Sequence, residues 1–543
     1  MRTKSLIMFI TALLLICNAQ AEELNLIPKP NSVVVNSGSF TFSPSAVIVA
    51  PKDLEPVACY FSELFIAPFG KPLSVARRAS SSKSQIIELS LIKGMEQEEY
   101  KIEVTEQRIE IEASTVEGVF RGLQTLRQLM PVEAYATTKQ ESVEWSIPCV
   151  EISDAPRFEW RGLMVDSSRH FQPLLELLRM IDLMSHYKMN IFHWHLVDGH
   201  GWRMESALYP NLTEIGAWRM QPGYPTEGET NRYGGYYTQE EILLLVDYAK
   251  ERFITVVPEI EMPGHSSAAL ASYPDLLACS NVEKVEVAHF YSYPATEQRF
   301  PPGGADVMCA GKESTFQFID NIIGETCELF PSEYIHIGGD EVAKSQWANC
   351  PECQKRMEEE GLESLEELQS YFIKRAEKIL SKYGRKLIGW DEILEGGLPE
   401  QSAVMSWRGV DGGVKAAQQG KKIVMSPEQY LYLDRGQSKS PLHPTHWPGY
   451  VPIDVVYNFN PVPQVLTNQG NEGLVMGLQG NLWTIFTNTQ ELNDIQTFPR
   501  LCAIAEIGWT NENQCSYDDF LKRLEIDKMR LDFQGVIYWQ EPK

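Results

Sequence analysis

The chain has 543 residues, of which 43% are hydrophobic and 22% charged, and its formal net charge is −25. That length is enough for more than one domain with a sizeable core, and the acidity disfavours partners that are themselves polyanionic, nucleic acid and anionic membrane surfaces alike. Beyond the first segment, no run approaches the ~18 uninterrupted apolar residues of a membrane span.

Arg2 and Lys4 precede an apolar run over 6–16, and Asn18-Ala19-Gln20-Ala21 supplies a small-residue cleavage signal. Residues 1–21 therefore read as a secretory peptide. Its removal takes the formal charge to −27 and leaves nine of the ten cysteines, an odd number. The expected location is exported, periplasmic or extracellular in a bacterium rather than lysosomal, and the single sequon Asn211-Leu212-Thr213 agrees with that. Lipid anchoring at Cys17 is disfavoured, because Ile16 is a poor small-residue neighbour.

Residues 22–155 read as a small non-catalytic α/β domain. Alternation over 100–112 (Ile102, Val104, Ile109, Ile111) predicts a hairpin, and Val119, Phe120, Leu123, Leu126, Leu129 and Met130 fall at helical spacing. Near Asp154-Ala155-Pro156 this gives way to repeating strand-then-helix units. Eight apolar strand candidates follow, at 162–166, 190–198, 254–261, 334–341, 386–392, 403–409, 422–427 and 474–483. Helical patterns separate several of them, at 174–187, 239–252, 314–330 and 364–383. Eight strands predict a (β/α)8 TIM barrel with a C-terminal helix over 156–543, whose active site belongs at the carboxyl ends of the strands.

Those ends read Asp166, His195 with Asp198, Glu259 with Glu261, Asp340-Glu341, Trp390-Asp391-Glu392, Trp407, Ser426 and Trp483. Carboxylates and tryptophans without a phosphate loop point to a neutral hydroxylated ring, since aromatic faces stack on a sugar and glycosidic cleavage needs a positioned acid. The most informative stretch is Tyr334-Ile335-His336-Ile337-Gly338-Gly339-Asp340-Glu341. Neighbouring strand residues point to opposite faces, so two adjacent acids can act on one substrate only if the glycines turn the backbone there. Any one of these acids could instead hold a loop through an ion pair, and a buried tryptophan is more often core than ligand wall; a ring of them at eight strand ends favours a site.

Cys350-Pro351-Glu352-Cys353 could be half of a zinc site, but no second Cys or His pair lies nearby in the sequence, so a local disulfide is the preferred reading. Cys279 and Cys309 flank a Pro/Tyr-rich loop and could close it. The histidines show no ligand-like spacing, and neither metal nor cofactor is expected.

Arg161 through Phe171, His193-Trp194-His195-Leu196, Pro258 through His265 and Ile337 through Glu341 together resemble glycoside hydrolase family 20, the β-N-acetylhexosaminidases. The resemblance covers nearly the whole mature chain. It implies exo-acting, retaining release of terminal β-linked N-acetylglucosamine or N-acetylgalactosamine, with the sugar's own 2-acetamido oxygen attacking C1 to give an oxazolinium intermediate, a case set apart from two-carboxylate schemes. It also implies that Glu341 is the general acid and base, that Asp340 orients the acetamido N–H, and that Tyr432 donates to the acetamido oxygen. Trp390, Trp407 and Trp483 would wall the pocket, and Arg161 would bind the hydroxyls at C3 and C4, its alternative being a salt bridge at the domain boundary. Asp198 and His265 would set the acid's proton affinity from behind.

Two departures from the family pattern stand out: Asp198-Gly199-His200-Gly201-Trp202 has lost an acid and gained a histidine at the expected rim, and Trp483-Thr484-Ile485 lacks the usual glutamate. With that anion gone, Arg435 could pair with a 6-O-sulfate, although Asp434 beside it would repel one; the alternative is that His200 or a loop residue replaces the glutamate and the substrate is unsulfated. Remaining alternatives are an inert sugar-binding barrel, a lacto-N-biosidase or chitobiase specificity, and a conventional β-glucosidase.

Overall fold

The structure is a computed structural model that describes residues 24–78, 85–220, 232–290, 298–299 and 306–542. The secretory-peptide and Cys17 readings lie outside the described residues. Seven strands form the first sheet in the order Ser32–Thr41, Ser146–Asp154, Tyr100–Val104, Arg108–Ala113, Ile86–Leu91, Val47–Val49, Ser74–Ala76. The expected hairpin is present, with Tyr100 opposite Ala113. The expected helix runs Val116–Leu129, started by Thr115, whose hydroxyl accepts the Gly118 N–H.

Eight parallel strands then close a barrel: Trp160–Asp166, Ile191–Asp198, Thr255–Ile260, Tyr334–His336, Lys386–Trp390, Ser402–Ser406, Ile423–Met425 and Val475–Leu482, with the last paired to the first. Each of the eight strand candidates is therefore a barrel strand. Helices Leu174–His186, Gln239–Lys250, Glu313–Leu329 and Leu365–Lys382 match the four helical patterns to within two residues at either end. Local chemistry explains their starts: Thr238 and Glu241 form a reciprocal capping box, and Ser364 caps the fourth helix. Leu368, Phe372 and Ala376 on that helix are buried, as their stripe requires.

Buried polar groups join sheet and barrel. The Asp154 carboxylate accepts from Tyr100 Oη, from Lys188 Nζ at 3.1 Å and from Trp509 Nε1 at 2.9 Å. The last helix, Tyr517–Phe533, reaches back to the first domain through Arg530, which donates to the carbonyls of Asn25 and Gln128. Among the described residues no helix is long and apolar enough to cross a membrane.

The cysteine expectation needs correction. Cys279, Cys309, Cys350 and Cys353 are all unbridged and meet in one buried cluster. Neither the local 350–353 disulfide nor a 279–309 closure is formed, because the fold gathers all four sulfurs at one point.

Candidate active site

The fourth barrel strand stops at His336, five residues before Glu341. Gly338 and Gly339 then take φ of +66° and +90°, and Glu341 itself +48°. A Cβ on Gly338 would run into the Glu261 carboxylate, so only glycine fits there. Glu261 accepts the Gly339 N–H at 3.1 Å, which fixes the turn from behind. The result places both acids around one imidazole: His265 Nε2 lies 3.6 Å from Asp340 Oδ2 and 3.3 Å from Glu341 Oε2. His265 is likewise in the left-handed region, at φ +47°, and two such non-glycine residues facing each other are the kind of strain that active sites retain.

Asp198 stands on the far side of His265, 3.8 Å from its Nδ1, and accepts from His195 Nε2 at 3.1 Å and from Arg169 at 2.7 Å. Burial works against a charged imidazole at His265, but Asp198, Glu341 and Asp340 outweigh it and raise its pKa to about 10. Burial also works against the Asp198 anion, and Arg169 with His265 overcomes it, holding that carboxyl well below the usual range. One layer deeper, Glu259 accepts from His195 Nδ1 at 2.5 Å and from Trp390 Nε1 at 2.8 Å, and lies 3.0 Å from His336 Nδ1, which itself accepts the Gly338 N–H. Asp340 is partly buried, its side chain 13% exposed, and desolvation together with Glu259 and Glu341 outweighs His265 to raise its pKa to about 6. The Glu341 side chain is 61% exposed, and its contact with cationic His265 lowers its pKa.

Aromatic rings complete the cluster. Trp483 lies 5.9 Å from Trp390 and 6.1 Å from Tyr432, and Tyr432 stacks on Trp407 at 6.0 Å and 15°. Trp407 donates to Glu392 at 2.8 Å, which fixes its ring. Burial, with Asp434 and Asp340 nearby, raises the Tyr432 phenol well above its ordinary value, so it stays a hydrogen-bond donor. Asp340 Oδ1 is buried without a hydrogen-bond partner among the described residues. A cluster of tryptophans beside one phenol donor, one orphan carboxylate oxygen and one exposed carboxyl can meet an amide-bearing ring and exchange a proton with it.

Residues 158–512 match the model of the glycosyl hydrolase family 20 catalytic domain, and residues 23–155 match that family's domain 2. The chain belongs to glycosyl hydrolase family 20. It is 41% identical over 518 residues to a beta-hexosaminidase of Porphyromonas gingivalis, covering 95% of this chain and 64% of that one. It is 34% identical to a beta-hexosaminidase of Vibrio furnissii, covering 90% and 77%. The solved structure of a GH20 exo beta-N-acetylglucosaminidase from Vibrio harveyi in complex with N-acetylglucosamine superposes with a TM-score of 0.84 at 34% identity, over 96% of this chain and 79% of that one. The chain thus spans somewhat under two thirds of the Porphyromonas relative's length.

Within this family 20 barrel, several residues sit elsewhere than expected. Arg161 is at the amino end of the first strand, where it pairs with Glu98 of the first domain at 2.5 Å and donates to the carbonyls of Phe158 and Lys188. The salt bridge at the domain boundary is the correct reading. Arg169, just past the carboxyl end of that strand, is beside these groups, bound to Asp198 and lying 4.8 Å over the Trp483 ring. His200 is not on the rim: it is buried, with Nδ1 3.5 Å from Asp198. Arg435 is bound to the Glu428 carboxylate and the Pro448 carbonyl, so its charge is already partnered. Burial raises the pKa of neighbouring Asp434 to about 7. Ser426 serves the barrel interior, donating to the Gln479 carbonyl and accepting from Asn481, and Asp391 holds Arg408 at 2.6 Å.

Arg161 and Arg169 separate cleanly by mutation. Arg161→Ala should cost about 3 kcal/mol of stability, because it breaks a buried pair, while the folded enzyme keeps its kcat/KM on an aryl glycoside. Arg169→Ala should lower kcat/KM about 10- to 100-fold, the worth of a charge-assisted hydrogen bond to a substrate. Denaturant melts and steady-state kinetics on both variants check this; a large kinetic loss in Arg161→Ala would restore it to the site.

Proposed function

We propose that the protein is an exo-acting, retaining β-N-acetylhexosaminidase that releases terminal β-linked N-acetylglucosamine by substrate-assisted catalysis. The observation that carries this reading is the turn that sets Asp340 and Glu341 around a single cationic His265. The relatives named above support the same activity.

In this reading the sugar ring lies on Trp483, with its acetamido group in the cavity of Trp390, Trp407 and Tyr432. Tyr432 donates to the acetamido oxygen, and the orphan oxygen of Asp340 accepts the acetamido N–H. The acetamido oxygen attacks C1 as the C1–O glycosidic bond breaks, and Glu341 gives its proton to the leaving oxygen. The Glu341 carboxylate then takes a proton from water, whose oxygen attacks C1 and opens the oxazolinium ring. Arg169 supplies hydroxyl contacts in place of Arg161.

The proton must sit on Glu341 while Asp340 is ionised, whereas the electrostatics of the two carboxyls alone run the other way, with Asp340 near 6 and Glu341 depressed. Substrate reverses the order. A ring on Trp483 strips water from exposed Glu341 and raises its pKa, and the acetamido N–H stabilises the Asp340 anion. The two adjacent acids share one proton, so their apparent pKa values belong to the pair. kcat/KM should therefore fall as pH rises through about 6, when the pair loses its last proton, and fall again below Glu341's depressed pKa, when it gains a second. His265→Asn keeps a residue tolerant of positive φ and removes the cation, so both limbs should move to higher pH; an unshifted profile would show that His265 does not set these values.

The neutral-sugar reading is favoured over a sulfated one because Glu428 already holds Arg435. The deciding assay compares kcat/KM on aryl β-N-acetylglucosaminide, its 6-O-sulfate and the aryl β-glucoside. Only the first should be a good substrate. Equal turnover of the sulfate would restore specialisation for sulfated glycans, and turnover of the glucoside would overturn the acetamido mechanism.

A further inference from the structure

We propose that Cys279, Cys309, Cys350 and Cys353 form a tetrathiolate site that holds one structural Zn2+ ion. All four side chains are buried. The sulfurs are separated by 3.9 Å between Cys279 and Cys353 and by 3.7 Å between Cys309 and each of Cys350 and Cys353. Cys309 and Cys353 each have two sulfur neighbours at nearly the same distance, and all four sulfurs lie within 4.8 Å of one another. Two disulfides would instead give two close pairs, each bonded at about 2.05 Å. A tetrahedron with zinc–sulfur bonds of about 2.3 Å has sulfur–sulfur edges of about 3.8 Å, which is the spacing seen.

Cys350 caps and Cys353 sits in the first turn of helix Pro351–Glu360, a short C-x-x-C pair whose spacing suits one ion. The other two ligands come from far away in sequence, 74 residues between Cys279 and Cys353 and 41 between Cys309 and Cys350. That distance is why the sequence suggested only half a site and no metal. On binding, the four thiols release four protons to solvent, and the resulting complex carries two negative charges. Soft thiolates in tetrahedral array select zinc over magnesium or calcium.

The site joins two loops that carry the cavity's acid–base groups. Next to Cys309, the Met308 N–H donates to the Pro263 carbonyl, two residues before His265, and the Met308 carbonyl accepts from Trp347 Nε1. Trp347 follows Glu341 on the loop that ends at Cys350. Zinc therefore fixes the His265 loop against the Glu341 loop without touching substrate.

Elemental analysis of the purified full-length chain should find one zinc per chain, and X-ray absorption at the zinc edge should show four sulfurs at about 2.3 Å. Treating the native protein with an organomercurial should release that zinc as the four cysteines react. The Cys350→Ser/Cys353→Ser variant should lose the metal and melt at a lower temperature; if it does not fold, the mercurial release on the unmodified chain still decides. Absence of stoichiometric zinc, with the four cysteines resisting alkylation until reduced, would overturn the site in favour of two disulfides. Nitrogen or oxygen ligands at the zinc edge, or iron in its place, would overturn the assignment as well.

Discussion

Glu341→Gln is expected to lower kcat/KM on unactivated glycans about 10³-fold, within the range that general acid catalysis supplies. The loss should shrink as the leaving group improves, since an acidic phenol departs without a proton. Sugar affinity should survive, because Trp390, Trp407, Trp483 and Tyr432 are untouched and Gln keeps the shape of the side chain. The carboxyl lies at the rim with 61% of its side chain exposed, where it can reach a glycosidic oxygen directed outward. Unchanged turnover in the variant would remove Glu341 from the acid role; titration of product binding beside the kinetics separates loss of chemistry from loss of the fold.

Asp340→Asn should cost about 10²- to 10³-fold, the usual price of removing one preorganised electrostatic partner from a transition state. Its pattern should differ from that of the Gln variant. Asp340 acts on the attacking acetamido group, so the loss should be nearly the same for good and poor leaving groups. Asp340 sits among Glu261, Glu259 and Glu341, which all disfavour another negative charge. Neutralising it therefore relieves repulsion, and the variant should be at least as stable as the parent while much slower. That inverse relation is what a residue strained for function shows.

The barrel was legible because strands buried on both faces read as nearly continuous apolar runs, and all eight appear where such runs occur. Asp340, Glu341 and the three tryptophans stand out in the sequence for a related reason: they lie at or just past strand ends. Applied strictly, the same rule places Arg161 wrongly for substrate, since it comes at the start of a strand and so at the barrel's opposite end. Arg169, in the same segment, follows the strand's last residue and so stands at the end of the barrel where Asp198 and Trp483 lie. Other features depend on contacts that no local pattern carries. Glu428 takes up Arg435, His200 folds in behind Asp198, and four cysteines from three stretches of chain converge. The order of proton affinities was also out of reach, because it turns on the desolvation of Asp340 and on the approach of His265 to Glu341.

The most direct test of the account is the response of kcat/KM to successive fluorination of the substrate's acetyl group, measured for the parent enzyme and for Asp340→Asn. Fluorine withdraws electron density from the acetamido oxygen and weakens it as a nucleophile without changing the leaving group. A steep fall from acetyl to trifluoroacetyl is expected in the parent enzyme, and a shift in that dependence when Asp340 no longer orients the amide. A flat response in the parent enzyme would mean that an enzyme side chain, not the substrate, attacks C1, and would contradict the proposed mechanism at its centre.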